Sequence, residues 1–329
     1  MNTGRSARRD AWTRFWQTGA LHSLAGSFQG NYAGAIRAFW EAAFAPLGAD
    51  DRVLDIGTGN GPLPALLCEL RADDMPQVDA IDLASPDPAW LASTPAGCRN
   101  RIRFHSGRAA EDTGFPEACF TLVASQYGIE YSDLKRSVTE VARITADRGR
   151  LALVVHHASS RLAQVANAEV RLIDWLGAPG GLMERAAAIY PYMAMAARGE
   201  RERLAADPDA ARARAAFNAA MQSLDRLAAG EAFPDALFDA RGQIAARIDA
   251  LIRGAMDADA AAAAHARHVD ALHDARLRSQ ELVAHALDEA GCEDFLRSLR
   301  GSGFTDARAA PLHHDPHLVG WSILGTRIR

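Results

Sequence analysis

Val53-Leu54-Asp55-Ile56-Gly57-Thr58-Gly59-Asn60-Gly61 decides the fold. An apolar run enters a bend with three glycines at alternate positions, and a helix-like stretch follows. Glycine lets the backbone turn sharply and approach a ligand closely. The helix beyond adds unpaired N–H groups and a positive dipole end. In open α/β sheets ligands bind at the carboxyl ends of the strands, which is where this bend falls. A dinucleotide fingerprint requires G-x-G-x-x-G/A. Here Gly57-x-Gly59 runs on into Asn60, Gly61 and Pro62, so the third small residue is missing.

Outward from the bend, short apolar strands alternate with helical segments. Strands are predicted at Arg52–Ile56, Gln77–Leu83, Ile102–His105, Phe120–Ser125 and Arg150–His156, with helices at Gly61–Arg71 and Leu134–Ala146. That alternation implies parallel strands joined by right-handed crossovers, a doubly wound α/β sheet. Strand signal then nearly vanishes across 159–290, where alanine and arginine dominate and stops fall at Gly177–Gly181, Pro208 and Pro234. Asp257–Ala290 lacks glycine and proline and reads as one long helix. A helix over Cys292–Arg300 and strands at Thr305–His313 and Leu318–Ile328, turning at Asp315-Pro316, complete the sheet. The expected divisions are a helical cap at 1–48, a Rossmann-like core at 49–158, a helical insertion at 159–290 and a completing segment at 291–329. The cap is rich in aromatics (Trp12, Phe15, Trp16, Phe28, Tyr32, Phe39, Trp40, Phe44), either core packing or a cover over a ligand.

The 329 residues are 49% hydrophobic and 23% charged, with a formal net charge of −5. Such a chain buries a core without staples, and no global basic field recruits nucleic acid or an acidic membrane. No apolar run approaches the ~18 residues of a membrane span. The start of the chain lacks the pattern of a signal peptide, so the expected location is cytoplasmic. Cys68, Cys98, Cys119 and Cys292 form no C-x-x-C pair, which argues against a zinc ribbon or a dithiol redox site. Lys135 is the sole lysine and follows no glycine-rich loop, which disfavours Schiff-base chemistry and a phosphate-binding loop.

The run D-x-G-x-G-x-G led by Asp55 resembles motif I of the class I S-adenosylmethionine-dependent methyltransferases, and four further features follow in order. Ile81-Asp82 closes the second strand. Ala110-Glu111-Asp112 and Phe115-Pro116 resemble the family's adenine-binding segment, although Arg108-Ala109 stands where an Asp is expected. Phe120 to Tyr127 resembles the strand lining the methyl donor. Val141-Ala142-Arg143-Ile144 with Asp147-Arg148-Gly149 resembles the helix and turn before strand five. The resemblance covers about 50–157 and 292–329. It implies a seven-stranded sheet with its last strand antiparallel, and S-adenosyl-L-methionine as cofactor. It assigns cofactor contacts to Asp55, Gly57, Thr58, Gly59, Gly61, Asp82, Leu83, Ala110, Glu111 and Gln126. Asp82 would accept hydrogen bonds from both ribose hydroxyls; a helix-capping role is the structural alternative.

Methyl transfer from a sulfonium is an in-line displacement, and a base is needed only where the nucleophile must lose a proton. Three residues at the carboxyl edge are the catalytic candidates: Tyr127, His156 and His157. The histidines have the side chain suited to general-base work near neutral pH. No metal is expected: His313, His314 and His317 with Asp315 read as a solvated turn, and His265 with His268 as a polar helix face. Apolar residues of the insertion (Leu172, Trp175, Leu176, Met183, Ile189, Tyr190, Tyr192, Met193) either line a pocket or pack the helices together. The insertion itself is expected to be a lid over a small substrate or a homodimer seam. The leading functional expectation is methylation of an O or N atom of a small molecule. An RNA or protein methyltransferase and a non-catalytic S-adenosylmethionine-binding scaffold are the alternatives.

Overall fold

Val53 and Leu54 sit side by side in the chain yet serve different cores. In this computed structural model, which describes residues 3–23, 30–314 and 316–329, Arg52–Ile56 is strand β1 at the centre of a seven-stranded sheet. Successive side chains on a strand point to opposite faces. Val53 and Leu122 therefore pack on one face with Trp40, Phe44, Leu66 and Leu67. Leu54 and Val123 pack on the other with Val141, Phe295 and Leu299. Strands covered on both sides read as continuous apolar runs rather than alternating ones.

The elements of this unit follow in chain order. Helices α1 (Thr3–Trp16) and α2 (Gly34–Phe44) precede β1, and α3 (Pro62–Leu70) follows it. Then come β2 (Gln77–Asp82), the short α4 (Ala96–Arg99), β3 (Ile102–Ser106), β4 (Phe120–Gln126), α5 (Leu134–Ile144) and β5 (Thr145–Val155). After the helices α6 (Arg161–Leu176), α7 (Leu182–Ala197), α8 (Arg201–Ala206), α9 (Pro208–Gly230), α10 (Asp235–Ile252) and α11 (Ala258–His285), the chain returns through α12 (Glu289–Gly301), β6 (Arg308–His314) and β7 (His317–Thr326).

The strand order is β3-β2-β1-β4-β5-β7-β6. β1 pairs in parallel with β2 and β4, and β4 with β5. β7 runs antiparallel to both of its neighbours. The doubly wound sheet with an antiparallel last strand is therefore present. β6, antiparallel to β7, runs in the same direction as β5.

Most elements fall within three residues of their sequence-based bounds, and two differ by more. β5 begins at Thr145 rather than Arg150. Thr145 pairs with Phe120 and Arg150 with Leu122, so the residues between loop out. Arg148 takes φ 57° there, and the loop is secured by hydrogen bonds between Arg148 N and Arg327 O and between Arg327 N and Gly149 O, both 2.8 Å. The long helix ends at His285 rather than running on to Ala290. Leu287 leaves the helical path because its backbone pairs with strand five's end: Leu287 N donates to His156 O, and Ala158 N donates to Leu287 O, each at 2.9 Å. Trp321 Nε1 donates to the same Leu287 carbonyl at 3.0 Å.

The chain forms two compact units, one from residues 1–164 with 281–329 and the other from 165–280. The 3–48 segment thus belongs to the same unit as the sheet. The second unit has a core of its own: Leu172, Leu176, Met183, Ile189 and Tyr190 are buried with Leu224, Leu237 and Ile244, and Trp175, Tyr192 and Met193 pack against them. Of the two roles open to those apolar side chains, packing is the one observed. Among the described residues no helix is long and apolar enough to cross a membrane. Phe28 and Asp315 lie outside the described residues.

Candidate functional site

Asp82 ties the glycine bend to the second strand. Its Oδ2 accepts from Gly59 N at 2.8 Å and its Oδ1 from Ala84 N at 2.7 Å. Thr58 N donates to Ile81 O at 3.0 Å, so the bend is fastened to β2 twice. Gly57, Gly59 and Gly61 have φ of 67°, 53° and 76°, left-handed values that a side chain would strain. Gly61 is the N-cap of α3 and Pro62 opens the helix. Each carboxylate oxygen of Asp82 has a second lone pair still to offer. Burial pushes the Asp82 carboxyl up, against the two N–H donors that pull it down.

A cavity of about 480 Å³ opens at this carboxyl edge, inside the ~300–1,000 Å³ range of small-molecule sites. Gly57, Thr58, Asp82, Leu83, Ala110, Glu111, Gln126 and Tyr127 all line it. Arg108 and Ala109 line it too, so the adenine-like segment reaches the wall despite its departure from the family pattern. Gln126 accepts from Trp40 Nε1 at 2.6 Å, which fixes its amide, and its buried Nε2 faces the Tyr127 hydroxyl without a well-formed hydrogen bond. Thr58 Oγ1 is buried beside the Asp55 carboxyl, which it pulls down against the effect of burial. The spare acceptor capacity of Asp82 fits a polar ligand.

Other expected residues stand away from the cavity. Asp55, Gly59 and Gly61 are not on its wall. Asp55 is 2% exposed, and burial first, then the charge of Asp82, pushes its carboxyl up to about 7. Gly59 lies under the Trp16 indole, where a Cβ would meet the ring at 2.5 Å. Gly61 lies against Phe104 and Trp90.

The three catalytic candidates are corrected by the geometry. Tyr127 lines the cavity, but its hydroxyl donates to Val319 O at 3.0 Å and is spent on the backbone. His156 is 2% exposed and off the cavity wall, with its ring stacked on Tyr127 at 4.2 Å. Burial pushes it down to about 3, far from a base near neutral pH. His157 is also off the wall: its Nδ1 accepts from Ser159 N at 3.0 Å, and its ring stacks on Trp321 at 4.4 Å. Tyr127 and Tyr131 pack on the His156 ring and Trp321 on the His157 ring, while the strand's backbone end pairs with Leu287.

The cavity is instead walled by residues from distant parts of the chain. Trp12 and Trp16 of α1, stacked at 5.4 Å, line it together with Arg8, Tyr131, Glu281 and His285. Arg8 donates to Tyr131 O, pairs with Glu281 and lies 3.1 Å from His285 Nε2. The aromatic spacing on α1 carried the alternative of a cover over a ligand. Glu281 and His285, four apart on one helical face, carry no local signal that marks them as cavity residues, because the sequence continues helix-like past them.

Among the described residues, no three or more of His, Cys, Asp and Glu are placed to hold a metal ion. His265 is 7% exposed, so it belongs to the core of the helical unit rather than to a solvated face.

Residues 54–153 match the family described as Methyltransferase domain. An uncharacterized methyltransferase, YcgJ of Bacillus subtilis, is 36% identical over 114 residues, which are 33% of this chain and 42% of that protein. The chain thus spans less than half the length of this curated relative. The crystal structure of YcgJ aligns at 24% identity and a TM-score of 0.32, covering 39% of this chain and 58% of that one. Geranyl diphosphate C-methyltransferase from Streptomyces coelicolor, in complex with Mg2+, geranyl diphosphate and S-adenosyl-L-homocysteine, aligns at 15% identity and a TM-score of 0.36. That alignment covers 46% of this chain and 65% of the other.

Proposed function

We propose that this chain, whose residues 54–153 match the family described as Methyltransferase domain, is a class I S-adenosylmethionine-dependent enzyme that transfers a methyl group to an oxygen or nitrogen atom of a small molecule. The observation that carries the reading is the Asp82 carboxylate. It is held by Gly59 N and Ala84 N, borders the cavity, and keeps acceptor capacity for a diol.

S-adenosyl-L-methionine supplies a methyl group already activated on a sulfonium. The residues suited to hold it are Asp82 and Leu83 toward the ribose, Ala110 and Glu111 toward the base, and Gly57, Thr58 and Gln126 toward the amino-acid end. Glu111 is itself oriented, since its Oε1 accepts from Asp133 N at 3.0 Å. The protein's contribution is alignment and exclusion of water. A donor and acceptor held at near-attack separation, ~3–3.5 Å, gain most of what catalysis requires here. Trp12, Trp16, Tyr127 and Tyr131 provide aromatic surface that attracts a cation. His22 and His285 are the imidazoles on the cavity wall among the described residues. An acceptor that must lose a proton has those two groups within the same cavity.

Titration calorimetry with S-adenosylmethionine, S-adenosylhomocysteine and NAD tests the cofactor. Both adenosyl ligands should bind and Asp82→Ala should weaken them; preference for NAD would overturn the reading. Transfer of a tritiated methyl group to small-molecule extracts, tRNA and peptides tests the substrate class. Label in tRNA or peptide alone would replace the small molecule by a polymer, and binding without transfer to any acceptor would leave a scaffold.

A further inference from the structure

Glu281 and His285 lie one turn apart at the end of α11, and both line the cavity. His285 Nε2 is 3.5 Å from Glu281 Oε2. Arg8 of α1 pairs with the same carboxylate and lies 3.1 Å from that nitrogen. The contact with His285 first, and Arg8 after it, hold the Glu281 carboxyl below its ordinary range against burial, which pushes it up. Arg8 and Glu281 cancel one another, so this stretch of wall carries no net charge. Arg5 and Arg9, the other arginines of α1 on the wall, are exposed and pair with Glu111 and Asp10.

Aromatic rings frame the cluster. The Tyr131 ring lies 5.5 Å from that of His285 and 6.3 Å, edge-on, from that of Trp12. All three line the cavity. The Tyr131 hydroxyl makes no hydrogen bond among the described residues. Burial, the first cause, pushes that hydroxyl well above its ordinary value, so it keeps its proton and stays a donor. His285 Nδ1 is likewise without a partner among the described residues. The wall thus combines flat apolar surface with a free hydroxyl and a free imidazole nitrogen.

Resting on the methyl-transfer reading above, we propose that the acceptor is an uncharged phenol and that His285 is the base that takes its proton. Aromatic side chains pack a planar ring edge-to-face or offset, and the Tyr131 hydroxyl donates to the phenol oxygen. A cationic acceptor would call for a Glu281 free of Arg8, and an anionic one for an Arg8 free of Glu281. The hydrogen bond at one imidazole nitrogen sets the role of the other. With Nε2–H turned to Glu281, Nδ1 accepts. The phenolic proton passes to Nδ1, an oxygen lone pair forms the bond to the methyl carbon, and the methyl–sulfur bond breaks with its electron pair going to sulfur. S-adenosylhomocysteine and an aryl methyl ether result. Glu281 is a positioning residue that orients the ring and balances the imidazolium. His22, the other imidazole on the wall, turns Nε2 to Gly30 O at 2.9 Å, and burial pushes it down, which suits it poorly to take a proton.

Tritiated methyl transfer to a panel of phenols, benzoates, benzylamines and aliphatic alcohols tests the acceptor class, with S-adenosylhomocysteine calorimetry alongside. Label in the phenols, roughly tenfold or more above the other classes, supports it. Label spread evenly, confined to another class, or absent while S-adenosylhomocysteine binds would overturn it and leave the cofactor site standing. No binding of S-adenosylhomocysteine would overturn both readings. Two phenols test the base: p-cresol keeps its proton at neutral pH, whereas p-nitrophenol at alkaline pH has already lost it. His285→Gln should lower kcat for p-cresol about a hundredfold and change kcat for ionised p-nitrophenol less than about threefold. Turnover of p-nitrophenol shows that the variant is folded. The fall of the p-cresol rate toward acid pH should vanish with it. Glu281→Gln should lower kcat for p-cresol at unchanged KM, and serves if His285→Gln does not fold. Tyr131→Phe should raise KM for both phenols by about tenfold. Equal losses of kcat with both phenols, or no loss with either, would overturn the role of His285.

Discussion

Gly57 and Gly128 meet backbone to backbone. A Cβ on Gly57 would lie 2.7 Å from the Gly128 Cα, and one on Gly128 would lie 2.9 Å from the Gly57 Cα and 2.7 Å from Ile56 O. The bend after β1 and the end of β4 are therefore locked at a separation only two glycines allow. Both residues line the cavity, so its floor depends on this contact.

Gly128→Ala should force the two strand ends apart. Gly128 has an ordinary negative φ of −133°, so the effect is steric and not conformational. The expected cost is about 1–3 kcal/mol of stability, as for other overpacked sites, with S-adenosylmethionine affinity reduced roughly tenfold. Urea unfolding and calorimetry measure the two. Wild-type values in both would show that the contact relaxes freely.

Trp16→Ala should uncover Gly59 and widen the cavity. A buried aromatic removed from a ligand-facing wall costs about 1.5–3 kcal/mol where its surface is lost. Cofactor affinity should fall while the sheet still unfolds cooperatively. Tryptophan fluorescence gives a second measure: quenching on cofactor binding should shrink in the variant. Equal quenching in both proteins would place the ligand elsewhere.

Tyr127→Phe should leave cofactor affinity within about threefold of wild type and cost about 0.5–1.5 kcal/mol, the net worth of one hydrogen bond. The hydroxyl is engaged with Val319 O on the last strand. A large fall in turnover at unchanged stability would restore the hydroxyl to the reaction.

Stability should respond to two buried carboxyls. Burial is the main cause that raises Asp55 and Glu130, each to about 7. In the unfolded chain carboxyls titrate near ~4. The folded state keeps these protons longer, so their contribution is complete below about pH 4 and is lost as pH rises toward about 7. Asp55→Asn and Glu130→Gln carry no charge at any pH. Each should gain stability relative to the wild type as pH increases through that window. Urea unfolding of the ligand-free protein at several pH values measures this, and a constant or shrinking difference would contradict it.

The sheet was legible because fully buried parallel strands leave uninterrupted apolar runs: Arg52–Ile56 was bounded to the residue. The same pattern placed Asp82 beside the bend. What the sequence concealed was which way edge side chains turn. His156 and His157 stand at the carboxyl edge as expected, yet their rings pack on Tyr127, Tyr131 and Trp321, and the strand's backbone end pairs with Leu287. A backbone bridge across so many residues leaves no local trace. The break after His285 was hidden for a related reason: tertiary pairing ends that helix where neither glycine nor proline does. Arg8, Glu281 and His285 converge on one cavity from opposite ends of the chain, a proximity no spacing encodes.

The position of β7 between β5 and β6 has a consequence during synthesis. β5 presents a strand edge whose partner begins only at His317. Roughly 160 residues must emerge first, on the order of 8–30 seconds at ordinary translation rates. Through that interval an apolar, hydrogen-bond-hungry rim stands open to neighbouring nascent chains. Shielding that rim on the ribosome is then a requirement for yield, and truncations ending before His317 should accumulate as aggregates rather than as shorter soluble proteins.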